Sequence, residues 1–325
     1  MKLRRIYCIL LPLLMLTMLA GLCFGSAPLS FSQLAAALAG EGTARTILMG
    51  IRLPRVLAGL LAGVGLSTAG VLLQTVTAND LASPNIIGIN SGAGLAVILM
   101  LTFFPAAPTW LPIGAFCGAF GAALLILAAG SRLGSSRTGI LLIGIAVTTL
   151  FNALISFLSL LDEGILAQYN HFTVGSLRAV SAGELLLPGT IIACALVIAL
   201  ALSGHLGVLC LGDEAACALG IRVKGLRIAA LACAAACAAA VVSFAGLLGF
   251  VGLVVPHMAR AFTGERPGRL IPVSALMGGI LVILGDLLGR TLFAPSELPV
   301  GILMSLIGAP YFLFLLTRRK SYAGN

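Results

Sequence analysis

Long apolar runs that contain no Asp, Glu, Lys or Arg constrain this chain more than any other feature of its sequence. One of them covers residues 228–259 and would measure about 48 Å as a single α-helix. The chain is 60% hydrophobic and 9% charged, whereas about a quarter of the residues in soluble domains are charged. An aqueous fold could not bury this much apolar surface. The sequence therefore predicts a membrane protein.

The apolar runs predict transmembrane helices rather than barrel strands, because strands of a membrane barrel alternate between apolar and polar residues. A helix needs about 20 apolar residues to span a bilayer core of about 30 Å. The run at 228–259 is too long for one span and is predicted to form two spans joined by a tight glycine-containing turn. We expect an all-α polytopic protein in which residues 1–325 form a single transmembrane domain. The predicted spans are 6–24, 53–77, 86–104, 111–130, 139–161, 184–203, 226–244, 247–263, 271–292 and 298–316.

The predicted spans number about ten, and the distribution of cations predicts how they are oriented across the membrane. A net charge of +9 would suggest a nucleic-acid partner in a soluble protein, but here the cations lie near the ends of the spans, so no nucleic acid is expected. Ten spans place fourteen of the 19 Lys and Arg residues on the side of both termini, and cytoplasmic loops are enriched in cations. Both termini are therefore predicted to be cytoplasmic. The five cations predicted on the outer side are Arg45, Arg52, Arg55, Arg178 and Arg290.

Two of these outer cations, Arg52 and Arg55, lie at the start of the second span. The sequence Arg52-Leu-Pro-Arg55 begins an apolar run that ends near Asn79 and Asp80. Cations that lie on the outer side against the general bias need a reason, and binding an acidic external partner is one. Within the span, Gly59, Gly63 and Ser67 recur four residues apart, which predicts close helix packing.

The longest loop on the predicted cytoplasmic side covers about residues 204–225. Its segment from Leu211 to Gly220 begins with Asp213 and Glu214 and ends on Leu219-Gly220. Acidic residues at the start and glycine at the end are typical of a short helix. The segment is either an ordinary amphipathic connector or a helix along the membrane that another protein binds.

The sequence contains no set of residues for catalysis or for a resident metal. His171, His205 and His257 are far apart, and none has a carboxylate or cysteine at ligand spacing. The sequence has no phosphate loop of the form G-x-x-x-x-G-K-[ST]. We therefore expect no catalytic residue, no cofactor, no metal site and no ATP hydrolysis by this chain itself.

Taken together, these segments resemble the FecCD family, the permease subunits of binding-protein-dependent ABC importers for iron–siderophore, haem and cobalamin. The similar segments occur in family order over almost the whole chain. They are residues 52–55, 70–74, 79–84, 88–93, 174–177, 211–220, 249–253, 256–260, 285–290, 297–301 and 308–310.

The resemblance implies a fold like that of the vitamin B12 importer permease, in a multi-pass protein of the bacterial cytoplasmic (inner) membrane. It also implies a homodimer with the translocation pathway at its interface. The other implied partners are two copies of a separate ABC ATPase and a periplasmic or lipid-anchored substrate-binding protein. The implied cargo is an iron complex, with Fe(III)–siderophore as the commonest substrate of the family.

The resemblance also assigns roles to residues of this sequence. It implies that Arg52, Arg55 and Arg290 bind glutamates of the binding protein, and that Asn79 and Leu81 narrow the cytoplasmic end of the pathway. This chain departs from the family at Asp80, where relatives usually carry proline, and near His171, where relatives often carry tryptophan before the Gly-Ser-Leu sequence. The residues implied to couple the permease to the ATPase are Asp213, Glu214, Ala216, Leu219 and Gly220.

Other functions stay open on the sequence alone. The same type of importer could carry haem or cobalamin. An ion-coupled secondary carrier would need an ionisable residue within the membrane, and Asp286 is the candidate. An intramembrane enzyme would need a nucleophile–base or metal set on facing spans, and none is evident.

Overall fold

Each of the ten predicted spans contains an α-helix, because a helix satisfies its own backbone hydrogen bonds in an apolar setting. This computed structural model describes residues 3–25, 45–85, 88–132, 137–178 and 180–322, and these segments contain no β-strand. The helices are α1 (Leu3–Cys23), α2 (Leu53–Thr77), α3 (Ile89–Phe103), α4 (Leu111–Arg132), α5 (Arg137–Ser159), α6 (Glu163–Val174), α7 (Leu186–Leu209), α8 (Asp213–Ala218), α9 (Val223–Ala245), α10 (Val251–Thr263), α11 (Pro267–Thr291) and α12 (Val300–Tyr322).

Within the residues that the structure describes, seven helical segments are long and apolar enough to cross a membrane. They include α1, α2, α4, α5, α7, α9 and α11, so the prediction of a multi-pass membrane protein is confirmed. The apolar parts of α3 and α12 are shorter, and α10 has 13 residues, a length of about 20 Å. The count of ten spans and the cytoplasmic position of both termini stay predictions.

Helix α2 forms the centre of the bundle and is buried along most of its length. A Cβ atom at Gly63 would collide with the backbone carbonyl of Gly278 in α11, and one at Gly70 would collide with the carbonyl of Gly252 in α10. Glycine at these crossings lets the helix axes approach closely enough for backbone contact. The predicted close packing around Gly63 is therefore confirmed.

The junction between α9 and α10 differs from the predicted tight turn. Helix α9 ends at Ala245, and five non-helical residues (246–250) precede α10. Gly246 (φ 68°) and Phe250 (φ 63°) both adopt positive φ. Backbone partners from the end of α6 and from the segment after it stabilise this departure. Leu247 N–H donates to the Phe172 carbonyl at 3.2 Å, and Ser176 N–H donates to the Ala245 carbonyl at 2.9 Å. Non-helical backbone is tolerated in a membrane bundle when other protein groups satisfy it.

The outer helices present apolar side chains away from the bundle. In the apolar part of α5 only 17% of the residues are buried, against 78% in the segment that contains α2. Exposed residues of α5 include Leu150, Leu154 and Phe157. Lipid solvates such an apolar exterior, so this arrangement around a closely packed centre is suited to a membrane.

Candidate partner-binding and translocation sites

The start of α2 and the end of α11 meet in a buried group of charged residues. We call Arg52, Arg55, Arg290, Asp286 and Glu297 the arginine cluster. Arg55 Nε lies 3.0 Å and 2.9 Å from the two carboxylate oxygens of Asp286, and Arg55 Nη1 donates to Glu297 Oε2 at 2.8 Å. Both carboxylates are thus engaged by one guanidinium, the arrangement that a buried charge needs to avoid a large desolvation cost.

The other two arginines of the cluster bind the end of α1. Arg290 Nη2 donates to the Gly21 carbonyl at 2.5 Å, and its Nε lies 3.6 Å from Asp286 Oδ2. Arg52 Nη1 donates to the carbonyls of Leu22 at 2.8 Å and Cys23 at 2.7 Å. The last carbonyls of a helix have no partner within the helix, so these guanidiniums cap α1. The cluster therefore connects α1, α2, α11 and the segment before α12.

Four of the five cations predicted on the outer side lie at this end of the molecule. Arg52, Arg55 and Arg290 are 3%, 5% and 3% exposed, so the residues expected to bind a partner are engaged inside the protein. Arg178, to which the sequence assigned no role, has a side chain that is 74% exposed, and its Nε lies 3.8 Å from Glu297 Oε2. Counted together, the arginine cluster and Arg178 carry a net charge of +2, from four arginines and the carboxylates of Asp286 and Glu297.

Two family-like segments and the end of α9 meet beside the cluster. The turn after α6 (Val174–Leu177), the end of α9 at Ala245 and the segment from Glu297 to Gly301 are joined through backbone hydrogen bonds. Gly301 N–H donates to the Gly175 carbonyl at 3.1 Å, beside the bond between Ser176 and Ala245. A Cβ atom at Gly301 would collide with the Val174 carbonyl, and Gly175 has φ 70°. Glycine is required at both positions, by close approach in one and by backbone conformation in the other.

Two cavities flank the C-terminal end of α6 and share His171 and Ser176 as lining residues. The larger, of about 520 Å³, lies between α6 and the segment from Glu297 to Ile302, and it reaches Arg55. The smaller, of about 390 Å³, is mainly apolar and includes Phe172 among its lining residues. Next to Phe172, burial raises the pKa of Tyr169 above its ordinary value, which keeps its hydroxyl protonated. Both volumes are in the usual range for small-molecule sites.

The turn between α2 and α3 is at the opposite end of α2. Asn79 Oδ1 accepts a hydrogen bond from Leu81 N–H at 2.9 Å, which fixes the turn predicted to narrow the pathway. Asp80 Oδ1 lies 3.5 Å from Arg260 Nη1 at the end of α10, and Arg260 Nε lies 3.3 Å from Glu265 Oε2. Asp80 therefore forms an ion pair with Arg260.

The predicted short helix in the loop after α7 is present as α8. Gly220 follows it with φ 79°, as expected of a helix terminator. Ala216 is fully buried, so it packs against the bundle, whereas Glu214, Leu219 and Gly220 are exposed. Arg227 Nη2 lies 2.8 Å and 2.7 Å from the two carboxylate oxygens of Asp213 and ties α8 to α9. Of the five predicted coupling residues, three are thus available to a partner and two hold α8 in place.

The fold and these sites define a multi-pass helical permease. A central, glycine-packed helix carries a cationic cluster at one end, and a short exposed helix lies at the other. The chain belongs to the FecCD transport family, whose sequence model matches residues 13–318. This family comprises permease subunits of ABC importers, which rely on a separate ATPase and a substrate-binding protein.

Individual relatives are similar over most of their length. The chain is 40% identical to the iron(3+)-hydroxamate import system permease protein FhuG of Bacillus subtilis over 296 residues, 86% of each protein. It is 38% identical to the Fe(3+)-citrate import system permease protein YfmE of Bacillus subtilis, over 83% of this chain and 81% of the relative. The hemin transport system permease protein HmuU of Yersinia pestis is 37% identical over 84% of each.

A solved structure confirms the fold. A metal-chelate type ABC transporter in an inward-facing conformation superposes with a TM-score of 0.88 at 30% sequence identity. The match covers 97% of this chain and 99% of the other. The expected all-α permease fold is therefore confirmed.

Proposed function

We propose that this chain is the permease subunit that accepts a ferric siderophore-type complex from a binding protein and passes it into the cytoplasm of a bacterium. The observation that carries this proposal is the meeting of two family-like segments with the end of α9 beside the arginine cluster, with cavities of small-molecule size around them. The names of relatives support the cargo, since FhuG imports iron(3+)-hydroxamate and YfmE imports Fe(3+)-citrate. Haem, the cargo named for HmuU, is the alternative.

The importer would contain two copies of this permease and two ATPase subunits in the cytoplasmic membrane. The exposed face of α8, with Glu214, Leu219 and Gly220, is the surface that we assign to the ATPase. The buried Ala216 and the bond between Asp213 and Arg227 would transmit movement of α8 to α9. The turn at Asn79 and Leu81 would be the cytoplasmic gate.

A secondary carrier is less well supported, because its candidate ionisable residue already has partners. Asp286 is bonded to Arg55 and lies near Arg290, whereas a coupling-ion site needs a carboxylate that can exchange its partner.

The deciding experiment reconstitutes the purified permease, its co-purified ATPase and the binding protein in liposomes. Uptake of ⁵⁵Fe–siderophore that requires ATP supports the proposal, and uptake driven by an ion gradient without ATP contradicts it.

Binding of the substrate-binding protein is assigned to the arginine end. Because Arg55 is buried and bonded to Glu297, a partner carboxylate must compete with Glu297 for Arg55 Nη1. Reversing the charges of Arg52 and Arg55 would disrupt the bundle as well as docking, since both bind groups of other helices. Removing the competing carboxylate is therefore a sharper test than removing the arginines.

Glu297→Gln is expected to tighten binding of the substrate-binding protein. The substitution weakens the internal competitor for Arg55 and raises the local net charge, so affinity should rise about three- to tenfold at low salt. Surface plasmon resonance on the permease–ATPase complex in nanodiscs measures this change.

Glu184→Gln provides the matched control, because Glu184 is exposed and bonded to Ser181 outside the cluster. An unchanged or weaker affinity for Glu297→Gln, with Glu184→Gln like the parent protein, would remove Arg55 from the docking assignment.

A further inference from the structure

The larger cavity beside α6 combines exposed polar groups with an apolar wall. Asn170 and His171 on the last turn of α6 form one side together with Arg178, and Leu298, Pro299 and Ile302 form the other. Ser176 Oγ accepts a hydrogen bond from Arg178 N–H at 3.2 Å, which fixes the backbone from which the arginine side chain extends. Mainly apolar pockets with a few placed polar groups are typical of small-molecule sites.

The charges around this cavity favour an anion. Glu297 is the one carboxylate among the cavity's lining residues, and its side chain is 12% exposed because Arg55 binds it at 2.8 Å. Arg55 is also bonded to Asp286, so both of its carboxylate partners are internal to the protein. Arg178 stands 3.8 Å from Glu297, and its side chain is 74% exposed. Among the lining residues two arginines thus face one carboxylate, and Arg178 is the arginine whose side chain is exposed.

We propose that this cavity is a substrate subsite that binds the carboxylate edge of an anionic ferric chelate, with Arg178 as the residue that determines specificity. A planar guanidinium binds carboxylates through two parallel hydrogen bonds, whereas a neutral ferric hydroxamate offers no matching charge. The permease itself then discriminates among iron complexes in favour of polycarboxylate chelates of the ferric citrate type. This inference rests on the proposed function and adds the class of cargo.

The experiment measures chelate binding without the substrate-binding protein, so that selection by the latter does not enter. The permease–ATPase complex in nanodiscs is dialysed to equilibrium against ⁵⁵Fe(III)-citrate or a neutral ⁵⁵Fe(III)-hydroxamate. The parent complex is expected to bind the citrate complex more tightly. Arg178→Gln should weaken citrate binding about tenfold and change hydroxamate binding less than about twofold. Arg178→Lys, which keeps the charge but not the planar fork, should be intermediate.

Arg269→Gln is the matched control, since Arg269 is an exposed arginine in the first turn of α11, at the far end of that helix from Asp286. Three outcomes would overturn the subsite: citrate binding that Arg178→Gln leaves unchanged, equal loss for both chelates, or no chelate binding by a parent complex that imports iron. A loss of affinity for the substrate-binding protein alone would assign Arg178 to the docking surface instead. Failure of ATP-driven import for every iron chelate would instead contradict the proposed function.

Discussion

The two ends of the bundle hold their charges in different ways. In the arginine cluster the side chains of Arg55, Asp286 and Arg290 are between 3% and 6% exposed. At the opposite end, the side chains of Asp80 and Asp213 are 28% and 43% exposed in their pairs with Arg260 and Arg227. Buried charges are destabilising unless every partner is present, whereas exposed pairs contribute little. The arginine end is therefore a fixed assembly, and the end with α8 is joined by contacts that can rearrange.

This difference suits a transporter whose energy source acts at one end. An ATPase that moves α8 would move α9 through the pair between Asp213 and Arg227. The partly exposed pair between Asp80 and Arg260 at the same end contributes little stability and could rearrange during this movement. The arginine cluster joins α1, α2 and α11 through carbonyl and carboxylate partners, so these helices would move as one unit. Movement would then occur at the α6 turn and the α9–α10 junction, where the backbone is not helical.

The largest expected effect comes from removing the central carboxylate of the cluster. Asp286→Asn keeps the shape of the side chain but removes its negative charge. Arg55 and Arg290 are then buried near each other with less negative charge to balance their positive charges. The loss of stability should be about 3–5 kcal/mol, measured by thermal unfolding of the purified permease complex in detergent. Asp213→Asn is the same chemical change at the other end and should cost about 1 kcal/mol or less. Equal losses would refute the distinction between the two ends.

A smaller effect is expected at the turn of Asn79. Asp80→Asn removes the less exposed of the two carboxylates that face the largely buried Arg260, so a loss of about 1 kcal/mol is expected in the same unfolding assay. Glu265→Gln is the control, because the side chain of Glu265 is 75% exposed and its contact with Arg260 is open to solvent. If Glu265→Gln destabilises the protein more than Asp80→Asn does, the pair between Asp80 and Arg260 does not hold this turn.

The smallest expected effect is a difference between the two ends in how far salt changes the stability loss of a charge-removing variant. Exposed pairs are screened at 1 M salt, where the Debye length is about 3 Å, and buried pairs are screened much less. The difference in Tm between parent and Asp213→Asn should therefore shrink as NaCl rises to about 1 M. The difference for Asp286→Asn should persist. A salt-dependent deficit in Asp286→Asn would show that water reaches the cluster.

Much of the fold was predictable because a helix in an apolar run forms its backbone hydrogen bonds within the run itself. The glycine-rich stripe at Gly63 indicated close packing, and the acidic start and glycine stop of α8 indicated a short helix. The α9–α10 junction was predictable as a break but not as five non-helical residues, because its partners, Phe172 and Ser176, are about 70 residues away in sequence.

The sequence was enough to predict which arginines belong to the candidate site, but not how they are arranged in it. The charge bias identified Arg52, Arg55, Arg178 and Arg290 as unusual, and all four are at one end. The sequence assigned docking to the three that are buried and no role to Arg178, which is exposed. Nothing local to Arg178 signals its place beside a cavity, because the opposite wall of the cavity, at Leu298, Pro299 and Ile302, lies about 120 positions further along the chain.

The sequence by itself determined that this is a helical membrane protein of the FecCD family, because hydropathy, charge bias and motif order are written along the chain. The tertiary structure alone decided which charges are buried and which are exposed. Burial depends on long-range packing: Asp286 and Glu297 are 231 and 242 residues away from the arginine that binds them both. Such distances in sequence carry no local signal, and only the packed bundle brings these groups together.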